Sequence, residues 1–460
     1  MRSNMAAAKQ YQSASRIADP LPNLPPTTSR LSFAGHITSI TNNCMRTWLA
    51  ALSSLCIAVL SPSSHAAPVA LQNYNADLTE TSVSGLSSGG FMAVQFAVAF
   101  SALVKGAGIV AGGPYYCAQG DADIATRRCS CTGLPVISRC EVAPGSTNVE
   151  QLVEITNQRA RNGAVDPTAN MGRQRIWMFS GTLDTVVPQP VMNDLYTYYR
   201  HYIGDDNIRF RKDVAAEHTM PTDGAGNACA ELGKPYIGNC GVDAAGEMLK
   251  WIYGDGLRPK NTNGLGGRLV EFDQSEFFDD RSPARHGMAD RGYAYIPANC
   301  DKNINGSCRV HVAFHGCRQN AEEVDDKFIR QAGYNQWADT NNIIVLYPQT
   351  TSNFMRNPKA CWNWFDFNRE DPDYASKNGR QIQAVRAMLD RVAGATLPPD
   401  PAPRCFTATN AEHVFAGRAH DWFFLAMANG SNKLIGLNNF FSVTTLKQVG
   451  PNHYVVGKCL

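Results

Sequence analysis

Charge is sparse in this chain: 18% of its residues are charged, and the formal net charge is +2. So even a balance gives no reason to expect nucleic acid or an anionic membrane as a partner, and it points to an uncharged substrate. An apolar run able to cross a bilayer, which takes about 20 residues, is also missing, because the stretch Trp48–Leu60 is too short. Metal-ligand spacing is absent around the closest cysteine pair. Cys129 and Cys131 stand too near each other for a zinc knuckle, and no histidine lies nearby to complete one. No metal and no cofactor is expected.

What the N-terminus does contain is an export signal. Met45-Arg46 supplies a short basic start, Trp48–Leu60 an apolar core, and Ser64-His65-Ala66-Ala67 a small-residue cleavage site. Residues 45–67 are therefore read as a signal peptide, and residues 1–44, polar and without periodicity, as an upstream extension that is not native, with translation starting at Met45. The expected destination is extracellular or periplasmic, with no stable membrane insertion once the signal is cleaved. Two of the 14 cysteines, Cys44 and Cys56, precede the cleavage site, leaving twelve. An even set in an exported protein reads as disulfides, whose connectivity the sequence leaves open.

The segment Thr81–Gln95, TSVSGLSSGGFMAVQ, reads as a strand, a Gly-x-Ser-x-Gly turn and the start of a helix. Glycine at 85 and 89 fixes the register on Ser87, because centring the pattern on Ser88 would put Leu86 where a glycine is required. Ser87 is the candidate nucleophile. Taken alone, the pentapeptide is equally a Gly/Ser turn that caps a helix beginning near Gly90.

Further on, the apolar run Gly106–Ala111 reads as a buried parallel strand, Tyr115–Pro144 as a disulfide-tied excursion, Asn148–Arg161 as a helix and Arg175–Ser180 as a strand. Asp184 stands just past that last strand, in a loop closed by Pro188, which is where an α/β-hydrolase carries its triad acid. The plain alternative is an Asp capping the helix from about Pro190. After a strand at Asn207–Asp213 comes Glu217-His218-Thr219-Met220-Pro221, with His218 the candidate general base and a satisfied structural histidine the alternative. Ser, Asp and His thus follow one another in α/β-hydrolase order, and their agreement outweighs the three separate alternatives.

A helix at Ala244–Tyr253 and a flexible connection at Gly254–Gly267 lead to a second run of strands, Arg268–Phe272, Gly292–Ile296, Arg309–Phe314 and Ile343–Tyr347, with a helix around Glu322–Thr340. The third of these strands ends in His315-Gly316-Cys317, the kind of loop that supplies an oxyanion N–H after an early strand of an α/β-hydrolase. Here it arrives after the triad. The simplest account is a circular permutation in which the early strands have moved to the end of the chain. His315 itself is read as a structural residue that fixes the loop. Trp362 and Trp364, two residues apart, are expected to alternate in direction, so that at least one faces outward as an apolar platform. A helix at Arg380–Ala393 closes the catalytic domain, 68–394; residues 395–404 form a proline-rich linker, and 405–460 a small C-terminal module bounded by Cys405 and Cys459. A disulfide is expected to close that module end to end. Its many aromatics, Trp422 to Phe424 among them, form either its small core or a binding surface.

Together the GLSSGG, GTLDTVV, EHTMPT, FHGCRQN and CWNWF segments resemble the poly(3-hydroxybutyrate) depolymerases with an N-terminal lipase box, over roughly residues 76–394. The fold class expected is α/β: a circularly permuted α/β-hydrolase domain plus a small disulfide-closed C-terminal domain. The resemblance implies Ser87 as nucleophile, Asp184 as acid, His218 as base and the backbone N–H groups of Ser88 and Cys317 as oxyanion hole. It also implies that Trp362 and Trp364 border a substrate crevice, and that the C-terminal module binds substrate. The expected activity is hydrolysis of the polyester by a secreted serine esterase. The rivals are a carboxylesterase acting on plant polysaccharide, such as a feruloyl or acetylxylan esterase, and a polymer-binding protein without activity.

Overall fold

The computed structural model describes residues 68–133, 139–301, 308–367, 369–394, 405–450 and 453–457. The proposed signal segment, the residues before it and the linker 395–404 lie outside the described residues. Short runs of small and β-branched residues, buried on both faces, make the interior strands of one large sheet. In chain order these are β1 (Ser82–Leu86), β2 (Gly106–Val110), β3 (Arg175–Phe179) and β4 (Ile208–Arg211). Three short strands follow outside the large sheet, β5 (Met220–Thr222), β6 (Asn227–Ala228) and β7 (Ile237–Asn239). The large sheet resumes with β8 (Arg268–Asp273), β9 (Arg291–Ile296), β10 (Arg309–Phe314) and β11 (Ile343–Tyr347).

Across the sheet the order is β4-β3-β2-β1-β10-β11-β9-β8. β1 lies between β2 and β10, parallel to both, with Ser82 opposite Gly106 on one side and His311 on the other. Only β9 runs against the others, pairing antiparallel with β11 on one side and with β8 on the other. Read from the β8 edge, the strands of the second half of the chain come first and those of the first half complete the sheet. That is the permuted α/β-hydrolase order the motif positions predict, and it places the end of β1 at the centre of the sheet, where a ligand site is expected. One apolar core packs under α1 (Ser88–Ala99) and the Arg380–Val392 helix, and a second covers the opposite face beneath the Ala244–Tyr253 and Tyr334–Asn341 helices. Among the described residues no helix is long and apolar enough to cross a membrane.

Two expectations need correction. The helix expected over Glu322–Thr340 is three short ones, Ala321–Val324, Lys327–Gln331 and Tyr334–Asn341. It breaks where Asp325 (φ 54°) and Gly333 (φ 92°) adopt left-handed backbone, which a continuous helix excludes. The Gly254–Gly267 connection is irregular but anchored. Asp339 accepts hydrogen bonds from Asn261 Nδ2 (2.7 Å) and Gly267 N (2.9 Å), and Thr340 Oγ1 donates to the Pro259 carbonyl (2.8 Å).

Residues beyond the linker build two three-stranded sheets around a core of Ala428, Leu446 and Tyr454, against which Phe406 and Ile435 pack. So small a core leaves most of the aromatics outside. Phe423, Phe424 and Phe441 are 81%, 81% and 91% exposed, and Phe415, Trp422 and Phe440 are exposed too. Cys405 is disulfide-bonded, and Cys459 lies outside the described residues.

Candidate active site

β1 runs straight into α1 through a single residue, Ser87, whose backbone has φ 58° and ψ −125°. Holding a non-glycine residue there costs on the order of 1–3 kcal/mol, and the flanking glycines are what permit it. A Cβ on Gly85 would lie 2.1 Å from the Gly89 carbonyl oxygen, and one on Gly89 would lie 2.3 Å from that of Phe314 on β10. The turn is further fixed by the Ser87 N–H, which donates to the Val110 carbonyl of β2 (3.0 Å). The hydroxyl of Ser87 therefore stands at the head of a helix and at the edge of a cavity.

The loop after β3 carries Asp184 and the loop after β4 carries His218, both buried. Asp184 Oδ1 accepts the N–H groups of Val186 (2.9 Å) and Val187 (2.7 Å), which orients the carboxylate. Its Oδ2 lies 2.9 Å from His218 Nδ1. With the Nδ1 proton directed at a carboxylate, Nε2 is left to accept a proton. Ser87 and His218 line the same cavity, of about 490 Å³. A residue that sequence reasoning passed over ties the two loops together. Glu217, also buried, accepts hydrogen bonds from Thr185 Oγ1 in the loop of Asp184 and from the His218 N–H in the next. Its one sequence signal is its place directly before His218. Behind it, the Glu217 N–H donates to the Cys229 carbonyl (2.9 Å), and Cys229 is bridged to Cys240 next to the β5–β7 sheet.

On the other side of Ser87, the loop after β10 is held from several directions. His315 is fully buried, and burial pushes its imidazole down to about 4. The neutral ring accepts the Thr350 N–H at Nε2 (3.2 Å) and donates from Nδ1 to the Gly316 carbonyl (2.7 Å). Because a trans peptide points its C=O and N–H in opposite directions, fixing that carbonyl also aims the Cys317 N–H away from His315. Gln319 clamps the Gly316 N–H (2.7 Å), Cys317 is bridged to Cys361, and Trp362 Nε1 donates to the His315 carbonyl (3.0 Å). Among the described residues, neither the Ser88 nor the Cys317 N–H has a protein acceptor.

The two tryptophans do not divide as expected. Neither faces solvent. Trp362 is fully buried beneath the oxyanion-type loop, and Trp364 lines the cavity, stacked on Phe91 with ring centroids 4.0 Å apart. Leu86, Val187 and Phe365 add to an apolar lining. Among the described residues no cluster of three or more His, Cys, Asp or Glu side chains is placed to hold a metal ion. Among the described residues five disulfides join one cysteine to another: Cys117–Cys129, Cys131–Cys140, Cys229–Cys240, Cys300–Cys308 and Cys317–Cys361.

No protein-family model matches the chain. Curated relatives do. A poly(3-hydroxybutyrate) depolymerase of Delftia acidovorans is 36% identical over an alignment of 507 positions that covers 89% of this chain and 98% of the relative. A polyhydroxybutyrate depolymerase of Talaromyces funiculosus is 35% identical over 359 residues, covering 75% of this chain and 96% of the relative. Two solved structures superpose with a TM-score of 0.63 at 33% identity, each over 71% of this chain and 100% of its own. One is the PHB depolymerase of Penicillium funiculosum, and the other a serine-to-alanine PHB depolymerase complexed with an R3HB trimer.

Proposed function

This chain belongs to the poly(3-hydroxybutyrate) depolymerases, serine hydrolases that cleave the ester bonds of that polymer, and from this premise we propose how its own residues do so. Ser87 is the nucleophile. His218 Nε2 takes its proton as the hydroxyl attacks a backbone ester carbonyl, and Asp184 holds the imidazole in the required tautomer and stabilises its charged form. The oxyanion is received by the N–H groups of Ser88 and Cys317, each such donor being worth about a hundred- to a thousandfold in rate. The proton on His218 passes to the departing alcohol. A 3-hydroxyacyl ester on Ser87 remains and is hydrolysed by water that His218 activates.

The observation that carries this reading is the convergence on one cavity of Ser87 at a strained turn, His218 paired behind it with Asp184, and the residues Ser88 and Cys317, whose N–H groups have no protein acceptor among the described residues. Trp364, stacked on Phe91, offers the methyl-bearing chain an apolar wall, whereas Trp362 acts from below by holding the His315 carbonyl. We assign the catalytic domain to 68–394, and the module beyond residue 404 to adsorption on the polymer through its exposed aromatic side chains. Five disulfides suit an oxidising compartment, in keeping with export by the 45–67 segment to the periplasm or the medium.

The test is the clearing of a turbid poly(3-hydroxybutyrate) suspension by the wild type and by Ser87→Ala, with release of ferulate or acetate from xylan measured alongside. Clearing by the wild type alone is the expected result. Clearing by Ser87→Ala to a similar extent, or turnover of the polysaccharide esters only, would contradict the proposal.

A further inference from the structure

A neutral polyester gives its enzyme no reason to place charge at the mouth of the cleft, yet three charged side chains other than His218 line this cavity, Arg318, Arg356 and Lys359. All are cationic, and among the described residues no carboxylate lines it. Arg356 is committed to an ion pair with Glu370. Arg318 and Lys359 have no carboxylate partner among the described residues. They are held as neighbours at the rim, since the Arg318 N–H donates to the Lys359 carbonyl (2.7 Å), and the Cys317–Cys361 bridge fastens the two segments together. Partial burial and the adjacent Arg318 charge both push the Lys359 ammonium below its usual range. Like charges held side by side without a counter-ion form a site for an anion.

The one formal charge a poly(3-hydroxybutyrate) chain carries near neutral pH is the carboxylate at one end. Chain polarity places it. When Ser87 attacks an ester, the acyl half it retains leads to the hydroxyl terminus, and the alcohol half that departs leads to the carboxylate. The geometry points to Arg318 and Lys359 as a carboxylate subsite on the leaving-group side of the cleft, which favours oligomers and chain ends with a free acid a short distance beyond the scissile ester.

This inference rests on the depolymerase reading, and one substrate pair separates the two. The kcat/KM for a 3-hydroxybutyrate trimer with a free carboxylate is compared with that for its methyl ester, in the wild type, Lys359→Gln and the Arg318→Gln/Lys359→Gln double variant, at low and at high sodium chloride. The wild type should favour the free acid at low salt, and the double variant should lower the acid-to-ester ratio by about tenfold, roughly 1.4 kcal/mol. Lys359→Gln should fall between them, and added salt should erode the wild-type preference. Because the result is a ratio, a general loss of activity cancels. Equal turnover of acid and ester by the wild type overturns the subsite but leaves the depolymerase reading intact, whereas turnover of neither overturns that reading. Inhibition by free 3-hydroxybutyrate that the variants relieve, without any acid-to-ester preference, would assign the cations to the product and contradict the chain-end subsite.

Discussion

Replacing Asp184 by Asn isolates the role of the acid with little change of shape. The orientation of the new side chain is dictated by its neighbours. Val186 and Val187 N–H groups, at 2.9 and 2.7 Å from Oδ1, require an oxygen there, so the amide nitrogen must take the place of Oδ2, 2.9 Å from His218 Nδ1. An NH₂ at that point is a donor facing a donor. The imidazole relieves the conflict by moving its proton to Nε2, which can then no longer accept the proton of Ser87. The expected loss is about 10⁴-fold in kcat, or roughly 5.4 kcal/mol of barrier, with little change in KM. Initial rates on a soluble short-chain ester measure it, with a thermal melt to establish that the variant is folded. Because acid and base act as a unit, Asp184→Asn combined with His218→Ala should be no slower than His218→Ala alone. A folded variant that loses less than about tenfold, or two losses that multiply, would refute the tautomer argument.

Three further expectations follow from the same geometry. Glu217→Gln keeps the shape of the link between the acid and base loops but must turn an NH₂ toward one of its donors; kcat on the soluble ester should fall about tenfold at unchanged KM, and a change confined to KM would show that Glu217 touches substrate instead. Gly89→Ala drives a Cβ to 2.3 Å from the Phe314 carbonyl and should destabilise the fold by at least about 3 kcal/mol on urea denaturation; a near-neutral substitution would mean that the elbow is not packed against β10 as described. His311 and His315 are both pushed down by burial, to about 3 and about 4, so unfolding takes up a proton at each once the pH falls below the ordinary value near 6.5. The stability they contribute is complete above that value and is lost as pH falls towards the folded values, by up to about 1.4 kcal/mol per pH unit for each; denaturation midpoints that do not move between pH 6.5 and 5 would contradict it.

The parts of this molecule legible from the chain are those governed by local rules. Gly85 and Gly89 around Ser87 announce a turn because no other residue fits there, and Asp184 and His218 announce themselves by following strands, the first marked by an apolar run and the second by alternation. The late His315-Gly316-Cys317 loop, out of its usual order, was enough to infer the permutation that brings β10 beside β1. What the chain did not reveal depends on contacts between distant segments. Strand-like alternation does not give the directions of Trp362 and Trp364, because that segment is irregular and is steered by the hydrogen bond from Trp362 to His315 and the stacking of Trp364 on Phe91. Glu217 became visible only when the loops carrying Thr185 and His218 were brought together. Asp325 and Gly333 broke a helix whose apolar spacing looked continuous, and the disulfide pairing was open until the loops were placed. In the C-terminal module, composition alone left core and surface equally possible for the aromatics, and only burial separates Phe406 and Tyr454 from Phe423, Phe424 and Phe441.

The claim on which the rest depends is that Ser87 at the turn between β1 and α1 is the activated nucleophile. Reaction of the protein with a fluorophosphonate, followed by mass spectrometry of its peptides, tests this most directly. The account predicts one phosphonyl group per chain, on Ser87, lost in Ser87→Ala and retained in Ser88→Ala. A label on Ser88, or none on a folded wild-type protein, would contradict it.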